Sequence, residues 1–472
     1  MSSIIENNTV YRFRSMNSLL GDAYQELERQ SIFFAPPEIL NDPAEGFRDI
    51  YFKGDDILWK NLFTHYLASL FNITFDYYIF GEDTPLVNYI QTFSPESTIP
   101  EEIKPSWEEI KKSFFSEESV AALISNIVEY RTEVSQPELS FYLGSLHPLA
   151  LTCIFNQLEK TDTPNSPKDI KTIMKRTKKP DGKFFESLKK MEEKDKENKI
   201  YVLMLQYQLQ SQFIPLTIEY NREKQEPNKR LLVCDFPFTY TKKLEQLMYP
   251  NWLTACFMSS PTNSSIWGNY GNNHSGACLI FNTDFDNNSH SLTLDNDIIG
   301  YGSDGQIKGR SIFSFHQIRY THKQDALNFF ESIGQLPIPE VNKQWLTDNG
   351  IRSKYFSNFN DEWRKKHWEN FYVPITQKSK EWAYENEHRL IINNMGGQHD
   401  RSGVTLNYEF KSLKGIIFGI NTSPENKLKI FKIIEKKVRE NDCYDFKFHQ
   451  AYYCRYTGEI KNAEISTLRF SK

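Results

Sequence analysis

The sequence predicts an α+β fold: a mixed sheet formed by the N- and C-terminal segments, with a large helical insertion between them. Three observations point there. Short β-branched or aromatic runs bounded by Gly, Asn and Pro occur toward both ends, while apolar residues three and four apart dominate the stretch between. No segment repeats itself along the 472 residues, which sets aside a solenoid or propeller.

The elements follow in order. Val10 to Arg14 alternates Tyr11 and Phe13 on one side with Arg12 and Arg14 on the other, the signature of a strand with one buried face. Asn17 to Gln30 carries Leu19, Leu20, Tyr24 and Leu27 at helical spacing, and Ser31 to Ala35 is a strand stopped by Pro36-Pro37. Asn41-Asp42-Pro43-Ala44-Glu45 reads as a turn or helix start with its own caps. From Ile50 to Leu244 the pattern is mostly helical, broken at 161–167, 178–182 and 223–229. Strands resume at Leu253–Met258, Ala277–Asn282, Ser311–Tyr320, His388–Ile392 and Gly415–Gly419, and a helix closes the series at Pro424–Arg439. The expected domains are therefore a discontinuous core, 1–50 with 246–472, and a helical insertion, 51–245, holding a charged linker near 161–199.

Composition removes several classes. Aromatics make up 14% of the chain, too many for a disordered one. The most apolar stretch, Tyr66 to Phe80, contains Asn72, Thr74 and Asp76, so no membrane span is expected. The opening MSSIIENNTVYRFRS lacks the parts of a secretory signal, and six scattered cysteines form no CxxC pair; the expectation is a cytoplasmic protein with reduced thiols and no resident metal. Net charge is only −5, but Lys168 to Lys199 holds an excess of lysine, read chiefly as a solvated face and secondarily as a nucleic-acid contact.

Four segments place polar groups beside aromatic anchors: YRFRS (Tyr11–Ser15), NDPAE (Asn41–Glu45), IWGNYGNNHSGACLIF (Ile266–Phe281) and SKEWAYENEHRLI (Ser379–Ile391). In this combination and order they resemble a large bacterial family, the domain of unknown function numbered twenty-nine seventy-one. The resemblance covers the first fifty residues and roughly Leu253 to the end, and implies a toxin-type or defence accessory role. In a strand, Glu385, Glu387 and Arg389 project to one face, giving two carboxylates and a guanidinium; in a helix, Glu385 and Arg389 would be an ordinary ion pair.

The order of parts also resembles that of mono-ADP-ribosyltransferases of the Arg, Ser, Glu type. Arg12 or Arg14 stands on the first strand, Ser259 and Ser260 close a middle strand, and Glu385-Asn386-Glu387 precedes an apolar strand; the Ser-Thr-Ser triplet of that class is replaced by Ser259-Ser260-Pro261. That resemblance implies NAD as substrate rather than as a bound cofactor. An Arg fork would grip the diphosphate, Trp267 or Tyr270 would stack on nicotinamide, and Glu387 would stabilise the charge at the anomeric carbon. His274 is a candidate general base or a structural hydrogen-bond partner, and His274 with Cys278 forms only half a zinc site. Gly300 to Gly305 satisfies GxGxxG but precedes a strand, which removes the dinucleotide-binding context.

The expected site is thus a polar cleft of Arg12, Arg14, Asn41, Asp42, Glu45, Ser259, Trp267, Tyr270, His274, Glu385, Glu387 and Arg389. The leading expectation is an NAD-consuming, ADP-ribosyltransferase-like effector in bacterial defence. One alternative is a Mg²⁺-dependent nuclease or phosphoryl-transfer enzyme using Asp42, Glu45, Glu385 and Glu387. The other is a non-catalytic nucleotide or peptide sensor whose helical insertion recruits a protein partner.

Overall fold

A computed structural model describes residues 5–42, 45–46, 48–94, 99–158, 193–220, 226–286, 288–322, 326–355, 359–394, 399–468 and 470. The lysine-rich run from Lys168 lies outside the described residues as far as 192. The class is α+β, and the chain divides into two compact units. A sheet unit comprises 1–47, 250–324 and 371–472; a helical unit comprises 48–249 and 325–370.

Eight strands form the main sheet of the first unit: β1 (Thr9–Arg14), β2 (Asn251–Met258), β3 (Ala277–Asn282), β4 (His316–Gln317), β5 (Glu387–Asn394), β6 (Leu413–Phe418), β7 (Lys447–Cys454) and β8 (Glu459–Glu464). Their order across the sheet is β4-β5-β2-β1-β3-β6-β7-β8, so the N-terminal strand lies between two strands from the second half of the chain. All neighbours are antiparallel except β6 and β7, which are parallel and joined by the helix Pro424–Asn441. Ser423 caps that helix by accepting from the Asn426 backbone N–H.

Period-two alternation gives the sheet two different faces. Val10, Leu253, Phe257, Leu279, Leu390 and Phe418 face one core, shared with Ile430 and Ile434 of the helix and with Phe34, Leu294 and Leu406 of a second sheet. Phe13, Met258, Ile266, Trp267, Cys278 and Ile417 make a smaller cluster on the other face. The expected helix over Asn17–Gln30 is instead two short ones, Met16–Leu20 and Glu26–Arg29, with Gln25 between them at φ 48. The GxGxxG stretch is a hairpin turn in which Gly302 pairs with Gly305.

The helical unit is built on Asp56–Phe80, Lys104–Phe115, Glu118–Tyr130, Gln136–Leu158, Glu193–Tyr220 and Phe236–Lys243. Residues 325–370, expected with the sheet, belong here. Leu327–Asn328 pairs in parallel with Ile50–Tyr51, and Phe329 and Phe330 pack on Phe52. Among the described residues, no helix is long and apolar enough to cross a membrane.

Candidate functional site

The register of the main sheet decides which predicted residues meet. Glu387 on β5 pairs with Met258 on β2, and Met258 pairs with Tyr11 on β1, so these three side chains share a face. Arg12 pairs with Leu279 and lies on the opposite face. There it covers the Phe257 ring and donates to the carbonyls of Cys256 and Phe33. Arg14 lies on that face too, bound to Glu26. The cleft expected to combine Arg12 or Arg14 with the glutamates is therefore corrected: alternation along β1 turns both arginines away from Glu387.

On the Glu387 face stands a buried ionic cluster. Glu45, Lys378, Glu385, Glu387 and Arg389 each expose 6% or less of their surface. Arg389 donates from Nε to Glu387 Oε1 at 2.6 Å and from Nη2 to Glu387 Oε2 at 3.1 Å and Glu45 Oε1 at 2.7 Å. Lys378 Nζ reaches Glu45 at 2.7 Å, Glu385 at 2.7 Å and Glu387 at 3.4 Å. Two cations thus serve three carboxylates, and one carboxylate charge is in surplus.

Local structure explains how these groups converge. Lys378 sits in the strand Gln377–Ser379, which pairs in parallel with Arg319–Thr321 and so stands beside Tyr320. The 3₁₀ turn Lys380–Glu385 follows, and Asn386 at φ 43 reverses the chain into β5. Glu385 therefore comes from a turn, rather than from the strand alternation expected of it. The Asn41–Glu45 segment docks on this turn: Asp42 accepts from the backbone N–H and hydroxyl of Ser379, and Asn41 accepts from Lys378 at 3.2 Å.

A partly exposed rim covers the cluster. Tyr270 donates to Glu385 Oε1 at 2.7 Å and accepts from the Asn41 amide at 2.6 Å. The Trp382 ring lies over Lys378 Nζ at 4.7 Å, and Tyr384 accepts from Asn269. Beyond Glu385, the Glu387 backbone N–H donates to the Tyr320 hydroxyl at 2.9 Å.

The carboxylates are not equivalent. Burial pushes Glu385 above the ordinary 4.5, against the pull of Lys378 and the Tyr270 hydroxyl. Burial likewise raises Glu45, against Arg389 and Lys378. Burial would raise Glu387 too, but the Arg389 fork and Lys378 outweigh it and bring the group down to about 2. Lys378 stays charged: burial opposes its ammonium, and the three carboxylates more than restore it.

The remaining predicted residues have other roles. Trp267 is fully buried, donates from Nε1 to the Pro261 carbonyl at 2.8 Å and packs edge-on against Phe13, so it is a core anchor rather than a stacking surface. His274 stacks on Trp267 at 6.4 Å, and its carbonyl accepts from Asn421 N–H, which makes it part of a loop brace. Ser259 touches the site through its backbone N–H, which donates to the Asn386 carbonyl. Tyr320 closes the expected strand Ser311–Tyr320, but nothing local marks it for the site, and Lys378 lies in a strand of three residues, too short to show periodicity; its one signal is that it directly precedes the SKEWAYENE motif. Among the described residues, no three His, Cys, Asp or Glu side chains are grouped to hold a metal ion.

Residues 266–390 match the family described as protein of unknown function (DUF2971). The DUF2971 match spans Tyr270, Lys378, Glu385, Glu387 and Arg389, and also takes in 325–370 of the helical unit. Arg12, Arg14 and Asn41–Glu45 stand outside it. No significant match was found among curated proteins or solved structures.

Proposed function

We propose that the sheet unit catalyses transfer or hydrolysis at the anomeric carbon of a ribosyl nucleotide, with NAD as the substrate. One observation carries the reading: a single ammonium, Lys378, holds two buried carboxylates whose environments push them apart, Glu387 toward a permanent anion and Glu385 upward beneath a partly exposed rim. When nicotinamide departs with the electron pair of its bond to ribose, positive charge is left on the anomeric carbon, and the fixed charge of Glu387 favours that state. The attacking water or acceptor hydroxyl then bonds to that carbon and gives its proton to Glu385, whose raised basicity suits it to the task. Trp382 and Tyr384 offer ring faces for a planar base, and the amides of Asn41 and Asn269 offer partners for a carboxamide. The diphosphate grip expected of Arg12 or Arg14 has no part in this scheme, since both lie on the other face of the sheet. Fast turnover would deplete NAD in the producing cell, which is how such a chain would act as a defence effector.

The test is to incubate the full chain with NAD in EDTA and follow nicotinamide. The expected result is release by the native chain and a loss of about a hundredfold or more in Glu385→Gln, with little change in melting temperature. Undiminished release by that variant, or no release by the native chain, overturns the reading. The Mg²⁺ alternative is disfavoured by Lys378, whose ammonium lies where a hard cation would bridge the carboxylates; activity abolished by EDTA would restore it. A non-catalytic sensor is favoured by the depth of the cluster alone, and binding of NAD without product would select it.

A further inference from the structure

Of the six carboxyl oxygens in the ionic cluster, five meet a donor. Glu387 receives Arg389 on both oxygens, with Lys378 at 3.4 Å on the second. Glu385 receives Lys378 on Oε2 and the Tyr270 hydroxyl on Oε1, each at 2.7 Å. On Glu45, Oε1 takes both Lys378 and Arg389 at 2.7 Å, while Oε2 is buried and meets no donor among the described residues. Two cations stand against three carboxyl groups, so one bound proton makes the charges balance. We propose that Glu45 Oε2 carries that proton at neutral pH, which makes Glu45 a positioning residue: it takes up the surplus charge and leaves Glu385 ionised.

A charged oxygen without a donor away from water costs more than a neutral O–H in the same place. The other candidate holder is Glu385, and its partners work against it. Lys378 donates to Asn41 Oδ1 at 3.2 Å, which orients the amide so that Nδ2 donates to the Tyr270 oxygen at 2.6 Å. The Tyr270 hydrogen is thereby directed at Glu385 Oε1, where a proton would meet it head-on. The Arg389 fork excludes Glu387. The groups facing Glu45 are Arg389 and Glu387 from β5, Lys378 from Gln377–Ser379 and the Cys256 thiol from β2, which burial keeps neutral. Burial, with Glu387 beside it, outweighs the two cations and holds Glu45 above the ordinary 4.5. The catalytic consequence rests on the NAD reading: with the proton on Glu45, Glu385 is free to accept one from the attacking water or hydroxyl.

Infrared difference spectra of the full chain at neutral pH test this. The carbonyl stretch of a neutral carboxyl is expected in the native chain, is lost in Glu45→Gln and survives in Glu385→Gln. The pH dependence of the urea midpoint is the second readout. A folded pKa raised above 4.5 contributes stability that is complete below pH 4.5 and is lost as pH rises through the folded value. The native midpoint is therefore expected to fall more steeply from pH 4.5 to neutral pH than that of Glu45→Gln, whereas a merely structural loss would lower the variant equally at every pH. A stretch lost in Glu385→Gln and kept in Glu45→Gln, a native chain without the stretch, or parallel midpoint profiles would each overturn the proposal. Absence of nicotinamide release by the native chain would overturn the NAD reading instead, and the spectra would still decide where the proton sits.

Discussion

Each unit buries an ion pair, and the two are built differently. In the helical unit Arg131 grips Glu138 through Nε at 2.8 Å and Nη2 at 3.1 Å, while the Tyr142 hydroxyl and the Ser135 N–H donate to the same carboxylate. One buried cation meets one buried carboxylate, both of whose oxygens are occupied, and Arg131 also reaches the exposed Glu197 at 2.9 Å. In the sheet unit two cations meet three carboxylates, and Glu45 Oε2 has no donor among the described residues. A buried carboxylate with both oxygens partnered, like Glu138, needs only a structural explanation. A surplus carboxylate is costly to bury, and its retention under a rim of Tyr270 and Trp382 points to use.

The largest effect expected from breaking this contrast is in the sheet unit. Arg389→Met leaves Glu387 and Glu45 with Lys378 alone, and should cost about 3–5 kcal/mol, read as a lower urea midpoint for the loss of sheet signal. An unchanged midpoint would mean that the cluster does not hold β5 in place.

Acid should separate the two units next. His147 is buried between the Tyr66 hydroxyl and the Leu232 carbonyl, and burial lowers it from 6.5 to about 4. The unfolded chain takes up that proton first, so its contribution, about 3 kcal/mol, is complete above pH 6.5 and is lost as pH falls toward 4. Glu387, lowered from 4.5 to about 2, contributes above pH 4.5 and loses that contribution only below it. Hydrogen exchange near pH 5 should therefore show Gln136–Leu158 losing protection while β5 keeps it; the reverse order would break the comparison.

A smaller effect belongs to the rim. The Tyr270 hydroxyl favours ionised Glu385. Tyr270→Phe should raise the Glu385 pKa further and move the acidic limb of the pH–rate profile upward by about one unit. A limb that stays in place would show that Glu385 is not the group titrating.

What the sequence made legible were local regularities. Tyr11 and Phe13 alternate against Arg12 and Arg14 as a strand requires, and the two-residue spacing of Glu387 and Arg389 does place both on one face. Which face of β1 meets Glu387 depends on the pairing of Tyr11 with Met258, a contact between residues far apart in the chain, and no local pattern encodes it. Glu385 reached the expected place by another path, because Asn386 adopts a left-handed conformation. Texture places residues 325–370 with the sheet, while the pairing of Leu327–Asn328 with Ile50–Tyr51 is decided by tertiary contact.

The central claim is that Glu387 titrates apart from Glu385 and Glu45. Carbon-13 detection of the glutamate side chains across pH tests it most directly, comparing the native chain with Glu385→Gln. The account predicts two carboxyls titrating above 4.5, of which one disappears in the variant, and another titrating near 2 that remains. Three carboxyls titrating together below 4.5 would contradict it.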